Sequence, residues 1–330
     1  MKKAEMTGRH HQLRNRKMSA SARIWLTAIV LGVAMLADRP AWGDDGAAGE
    51  WSADIANLSY YPHANRWTLS GSYAFPVGYI ASNSRGSSTT QTYDQVTLGA
   101  VYGLPSRIRL GLSINDYTDQ TSVATSAKGD ISSTSLNGLS APSATFAWRY
   151  KDDASDGIAG DLGASFLPSY GPRVAATTAQ TGNNLPGGDE ATATTSLFWH
   201  AGQNELEGTL TVAWHAQAAT EGSAASSTAA TDSYWSETFA LNDRVHFGPR
   251  AYAQAGLSFS FPYQVSASYA SSASKSTSYA STVAPTATLG FAATPHCAFT
   301  LAFAYRDGSS AVSQGGLADI DTETISDIVT

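Results

Sequence analysis

The chain is short of charge, of cysteine and of long apolar runs. Only 14% of its 330 residues are Asp, Glu, Lys or Arg, against about 25% in ordinary soluble domains. A water-facing surface of this size would need more. Cys297 is the only cysteine, which excludes an internal disulfide framework and any CxxC metal or redox motif. Its expected place is a small side chain in a turn. After residue 44, no stretch approaches the roughly 20 apolar residues of a membrane helix, and no 3.6-residue periodicity is sustained. There is no Gly-x-Ser-x-Gly elbow and no phosphate-binding glycine loop. His10 and His11 fall in the N-terminal segment and the other histidines are scattered. Neither a catalytic residue, a metal ligand nor a cofactor is therefore expected.

Glycine, serine, threonine and alanine fill the space, and they alternate with apolar residues. The clearest stretch is Val96–Ile114. Val96, Leu98, Ala100 and Tyr102 alternate with Thr97, Gly99, Val101 and Gly103; Ile108, Leu110, Leu112 and Ile114 alternate with Arg109, Gly111 and Ser113. Strand side chains point alternately to opposite faces, so each half has one apolar and one small or polar face. Between them Pro105, which lacks an N–H, suits a tight turn. The stretch reads as a hairpin with arms of about ten residues, the length a tilted bilayer crossing needs.

The unit repeats from Arg66. Outward sets include Trp67 to Phe75, Ala144 to Tyr150, Ile158 to Phe166, Ala193 to Trp199, Leu206 to Ala216, Ala251 to Phe259, Val283 to Phe291 and Phe299 to Tyr305. Short turns are expected at Lys151–Gly157, Ala201–Glu205, Asn242-Asp243-Arg244 and Ala293–Cys297. Long polar loops are expected at Val77–Thr92, Asp116–Gly138, Pro168–Glu190, Ala218–Thr231, Pro262–Ser278 and Arg306–Gly316. Tyr234–Leu241 reads as a strand of unsettled facing, because Glu237 shares a parity with Trp235, Phe239 and Leu241; a bulge would resolve it. Leu317–Thr330 is a poor strand, so closure of the sheet is in question.

Long and short connections alternate, and aromatics gather at both strand ends. This is the pattern of an all-β, transmembrane, antiparallel up-and-down β-barrel of about twelve strands, with short periplasmic turns and long extracellular loops. A soluble sandwich would carry more Lys and Glu on its polar face.

Residues 1–43 read as an export signal: a basic n-region, an apolar run Ile24–Ala37, and Ala41 and Gly43 at the −3 and −1 positions of a cleavage before Asp44. Residues 44–64 are a short periplasmic lead-in and 65–330 the barrel. Removing eight of 20 Lys/Arg and two of 27 Asp/Glu leaves a mature net charge of −13. Nucleic acid, which needs clustered positive charge, is not expected as a partner. Outer-membrane lipid, a small-molecule solute and the barrel-assembly machinery are. Oligomeric state is not legible.

Tyr102-Gly103-Leu104, Ser106-Arg107 and Leu110-Gly111-Leu112-Ser113 form a strand, turn and strand motif. Leu241-Asn242-Asp243-Arg244-Val245 and Gly163-Ala164-Ser165-Phe166-Leu167-Pro168 repeat parts of it. The pattern resembles the outer-membrane transporter-like family named for the meta-pathway of phenol degradation. That resemblance, from about Arg66 onward, implies a single barrel passing small, often aromatic or hydrophobic, molecules, and no catalytic residues. One departure is the C-terminus, Ser326-Asp327-Ile328-Val329-Thr330, where such barrels usually end in an aromatic.

Polar-face candidates to line a lumen are Arg107, Arg109, Arg149, Asp161, Glu207, His215, His246, Arg250 and Gln254. Clustered, they would set selectivity; paired with one another, they would only brace the wall. Three functions follow: a passive outer-membrane channel or transporter, a structural or surface-binding barrel without an open pore, and, least favoured, an outer-membrane hydrolase. The last needs a His and an acid within hydrogen-bonding reach of one serine.

Overall fold

The computed structural model describes residues 61–83, 86–153, 157–169, 173–174, 182–183, 188–201, 203–221, 229–247, 250–269, 275–294, 297–314 and 320–329. The export signal and most of the lead-in lie outside these residues.

Twelve long strands form the wall. They are β1 (Trp67–Asn83), β2 (Ser88–Leu104), β3 (Ile108–Thr125), β4 (Ser143–Asp153), β5 (Ile158–Leu167) and β6 (Glu190–Ala201). The second half comprises β7 (Asn204–His215), β8 (Tyr234–His246), β9 (Ala251–Ser260), β10 (Thr282–Thr294), β11 (Cys297–Gln314) and β12 (Ile320–Val329). Each pairs antiparallel with its neighbour in sequence, and β12 also pairs with β1, Phe75 opposite Val329 through Asn83 opposite Thr322. Over that stretch the sheet closes into a ring. The expectation that Leu317–Thr330 closes it poorly holds in part: β12 pairs β1 only from Phe75 to Asn83 and β11 only from Phe303 to Val312, and among the described residues no ladder partner lies on the seam side of Trp67–Ala74 or Cys297–Ala302. The ladder is made by backbone groups, and the Thr, Ile and Val of β12 suit a strand despite weak alternation.

The packing is inside-out. Large apolar side chains are exposed on the outer surface, among them Leu197 at 54% and Leu289 at 58%, while Arg149, Asp161, Ser196, Glu205 and Arg244 are buried. In water that would forfeit about 25 cal/mol for every Å² of apolar surface left uncovered; against lipid it costs nothing. Trp67, Trp148, Tyr150, Trp199 and Phe247 are exposed near the short turns, and Phe166, Trp235 and Tyr305 near the opposite end. These are the two interfacial belts of a transmembrane barrel.

Three differences from the sequence reading bear on the lumen. Asn242-Asp243-Arg244 is not a turn: β8 runs through to His246, and the chain reverses over 247–250. Asn242 and Arg244 are inward positions of a continuous strand, where alternation outweighs the local turn preference of Asn and Asp. Tyr234–Leu241 needs no bulge. Tyr234, Ser236, Thr238 and Ala240 face inward, and Glu237 shares the exposed face with Trp235 and Phe239. Finally, the extracellular loops are largely extended hairpins. β2 and β3 continue past the membrane, Ile131–Leu139 pairs with β3, and Tyr263–Tyr269 pairs with Lys275–Tyr279. At about 3.3 Å per residue, the 17 residues of β2 exceed what a tilted crossing requires.

Candidate functional site in the barrel lumen

Inward side chains divide the lumen into levels. Toward the extracellular side they are small and hydroxylated, and they satisfy one another across strands. Ser113 and Ser143 lie 2.6 Å apart, Ser165 and Thr192 2.6 Å, Ser196 and Thr209 2.8 Å, Thr194 and Thr211 3.3 Å, and Thr238 and Ser260 3.3 Å. Such pairs stabilise a sheet face without filling the space before it.

Toward the periplasmic end a belt of charged and aromatic groups crosses β3 to β10. The Arg149 guanidinium donates to both carboxylate oxygens of Asp161, at 2.8 and 3.3 Å, with both residues buried. The two are cross-strand partners on β4 and β5. Arg109 approaches the same carboxylate at 3.7 Å. The Arg149 guanidinium also lies 5.7 Å from the Phe198 ring of β6. Phe198 faces Glu207 across β6 and β7. Glu207 accepts hydrogen bonds from Asn242 at 2.9 Å and Thr209 at 3.1 Å.

One step nearer the turns, the buried Glu205 carboxylate sits between two imidazoles. His200 Nδ1 is 2.9 Å from one oxygen and His246 Nε2 3.2 Å from the other, the second contact lacking hydrogen-bond alignment. Arg244, opposite Glu205 on β8, donates to Gln254 Oε1 at 3.1 and 2.7 Å and stacks 3.9 Å over the Tyr252 ring. Tyr252 lies flat because its cross-strand partner is Gly290. A Cβ there would stand 2.0 Å from the ring.

The extracellular mouth carries a row of near-parallel rings. His215 and Tyr234 stack at 4.3 Å, Tyr234 and Tyr263 at 5.5 Å, and Tyr263 and Tyr279 at 4.6 Å. Within it, His215 Nε2 is 3.1 Å from Ser236 Oγ and His215 Nδ1 is 3.2 Å from Glu190. Serine, imidazole and carboxylate are thus in series. Acyl transfer would also require two backbone donors for an oxyanion.

Of the sequence candidates, the structure brings Arg109, Arg149 and Asp161 together and puts Glu207, His246 and Gln254 on the same belt. His215 is inward but at the opposite mouth. Arg107 and Arg250 are exposed at periplasmic turns, outside the belt. Glu205 and Arg244 escaped the sequence reading because both were assigned to turns. The parity they share with Glu207 and Asn242 was the available signal. Tyr61, in the lead-in, was missed altogether.

No family model matches the chain, and no curated protein matches its sequence. Among solved structures, an outer-membrane channel from Pseudomonas putida F1 superposes with a TM-score of 0.51 at 12% identity, covering 83% of this chain and 99% of that one. The shared fold is that of an outer-membrane β-barrel. The TodX monoaromatic hydrocarbon channel (a mutant form) gives a TM-score of 0.36 at 10% identity, covering 86% and 94%. The KdgM porin in complex with disordered oligogalacturonate gives 0.33 at 5%, covering 78% and 98%.

Proposed function

We propose that the barrel is a passive outer-membrane channel for small molecules, selective through the belt. One observation carries this reading: between the belt and the ring row at the extracellular mouth, the inward face is built mostly from Ser, Thr, Gly and Ala. Eight strands enclose a lumen that side chains just fill, and diameter grows with strand number. Twelve strands lined by small residues leave room for solute. The belt then narrows the path with three arginines and three carboxylates, Arg109, Arg149 and Arg244 against Asp161, Glu205 and Glu207. Of these, Arg109 and Glu207 are the more accessible, and they are the groups a solute meets.

The match to a Pseudomonas putida channel supports this reading. So do the motifs at Tyr102–Leu104 and Leu110–Ser113, which resemble the phenol meta-pathway family and make small aromatic or hydrophobic molecules the favoured cargo. The chain is exported with cleavage before Asp44 and inserted by the barrel-assembly machinery. Purified protein in planar bilayers is expected to give discrete conductance steps. A folded barrel that stays silent overturns the reading.

The Ser236–His215–Glu190 series favours a second reading, an outer-membrane hydrolase. Glu190 would hold the Nδ1 proton, leaving Nε2 to take the serine proton. Covalent labelling of Ser236 by a fluorophosphonate, lost in His215→Ala, would establish it. An unlabelled Ser236 in folded protein removes it.

A further inference from the structure

We propose that His200, Glu205 and His246 set the charge selectivity of the belt by proton uptake: anions are favoured when both imidazoles are charged, and the preference is lost when both are neutral. The inference rests on the channel reading and adds a control to it.

Three adjacent strands bring the trio together. His200 is the cross-strand partner of Glu205 between β6 and β7, and Arg244 is its partner between β7 and β8. His246 is the next inward residue after Arg244 on β8. Alternation puts both imidazoles on the lumen side, since their chain neighbours Trp199 and Phe247 are exposed on the outer face. One carboxylate thus meets an imidazole from each flanking strand, His200 Nδ1 at 2.9 Å and His246 Nε2 at 3.2 Å.

An ionised carboxylate only accepts hydrogen bonds. The favoured tautomers therefore put a hydrogen on both facing nitrogens, leaving His200 Nε2 and His246 Nδ1 to take the acid proton. Imidazole is the side chain whose charge ordinarily changes between about pH 5 and 8. Glu205 has one charge with which to answer two. The trio carries −1 with neutral rings and +1 with both rings charged, whichever ring is the better aligned. Side-chain exposures of 31% for His200 and 16% for His246 admit protons from the lumen, whereas Glu205 is 5% exposed.

The groups packed around the trio do not cancel the change. On β8, Arg244 adds a further positive charge beside Glu205, and on β7 Glu207 accepts from Asn242 and Thr209. On β9, Tyr252 lies 5.9 Å from the His246 ring, and Arg250 is exposed at the turn before it. From β5, His200 meets backbone: its N–H donates to the Gly157 carbonyl at 2.8 Å. Beyond β5, Asp161 is held by Arg149 and Arg109, and Arg149 also approaches the exposed Asp152 at 3.9 Å. The same two arginines face the Tyr61 ring, whose hydroxyl donates to the carbonyl oxygens of Arg107 and Ala147 at 2.6 and 3.0 Å. Three arginines against three carboxylates leave the belt formally neutral, and two charged rings take it to +2.

The test measures reversal potential in planar bilayers under a salt gradient, with the full-length exported protein, at about pH 8 and about pH 5.5, above the range in which ordinary carboxylates titrate. In wild type the anion-to-cation permeability ratio is expected to rise on acidification by about four-fold for each ring charged, roughly sixteen-fold for both. The double variant His200→Gln with His246→Gln keeps an amide beside Glu205 on each side and takes up no proton, so it is expected to lose the rise. Each single variant is expected to keep about one four-fold step, and the two serve should the double variant fold poorly by heat-modifiable gel migration. A conducting wild type with the same ratio at both pH values overturns the proposal and leaves the channel standing. So does a full rise in the double variant or in both single variants. Folded protein that is silent at both pH values overturns the channel, and the proton control with it.

Discussion

Arg149 and Asp161 form a two-contact ion pair at 2.8 and 3.3 Å inside the barrel, both about 5% exposed. Breaking a buried pair on one side leaves an uncompensated charge and costs about 3–5 kcal/mol, whereas apolar replacement of both partners is often neutral. Asp161→Asn is therefore expected to lower stability by about that amount in urea unfolding of the vesicle-embedded protein. Arg149→Met combined with Asp161→Leu is expected to recover most of the loss. Equal destabilisation by the single and double variants would show that the charges brace nothing.

Gly290 is the support of the opposite wall. A methyl group there collides with the Tyr252 ring, and overpacking a filled site costs about 1–3 kcal/mol. Gly290→Ala is expected to lower stability within that range. It should also move Tyr252 and Arg244 into the lumen and reduce conductance. An unchanged unfolding midpoint would mean that the ring has another place to go.

Selectivity follows from the two accessible charges. At about 5 Å in a watery lumen, one unit charge shifts an ion's energy by about 0.8 kcal/mol, roughly four-fold in relative occupancy. Glu207→Gln is expected to move the reversal potential toward anion preference and Arg109→Gln toward cation preference, each by a factor of that order. Shifts of the same sign in both would place the selective step elsewhere.

Alkaline pH should weaken the contacts that seat Tyr61 against the wall. Burial, opposed chiefly by Arg109, raises the Tyr61 phenol above its ordinary value of 10.0. The seated phenol holds its proton more tightly than the free one. Its contribution is full below about pH 10 and is lost as the pH rises through the raised value. Wild-type stability in urea unfolding is expected to fall in that range, with Tyr61→Phe lacking this component. Identical profiles in the two proteins would exclude Tyr61 as the titrating group.

Much of the fold was legible because period-2 alternation is a direct consequence of strand geometry. The outward sets Ala144 to Tyr150 and Leu206 to Ala216, and the alternation of short and long connections, led to twelve strands. Local chemistry misled where it competed with position: Asn242-Asp243-Arg244 has turn composition but lies in β8, and Glu205 lies in β7. Ser/Thr-rich segments read as loops because polarity outside the membrane carries no alternation to separate a hairpin from a loop. The belt was half visible, since Arg109, Arg149, Asp161 and Glu207 stand out on small-residue faces. Tyr61 could not be placed from sequence. Its hydroxyl contacts lie 46 and 86 residues away, and no periodic pattern in the lead-in leads to them.

The central claim is that small solutes cross this barrel, and size-graded flux into liposomes tests it most directly. The reconstituted protein is expected to admit small uncharged solutes faster than protein-free vesicles, with a cut-off as solute size grows. Entry no faster than in protein-free vesicles at every size, with the barrel shown to be folded, would contradict the account.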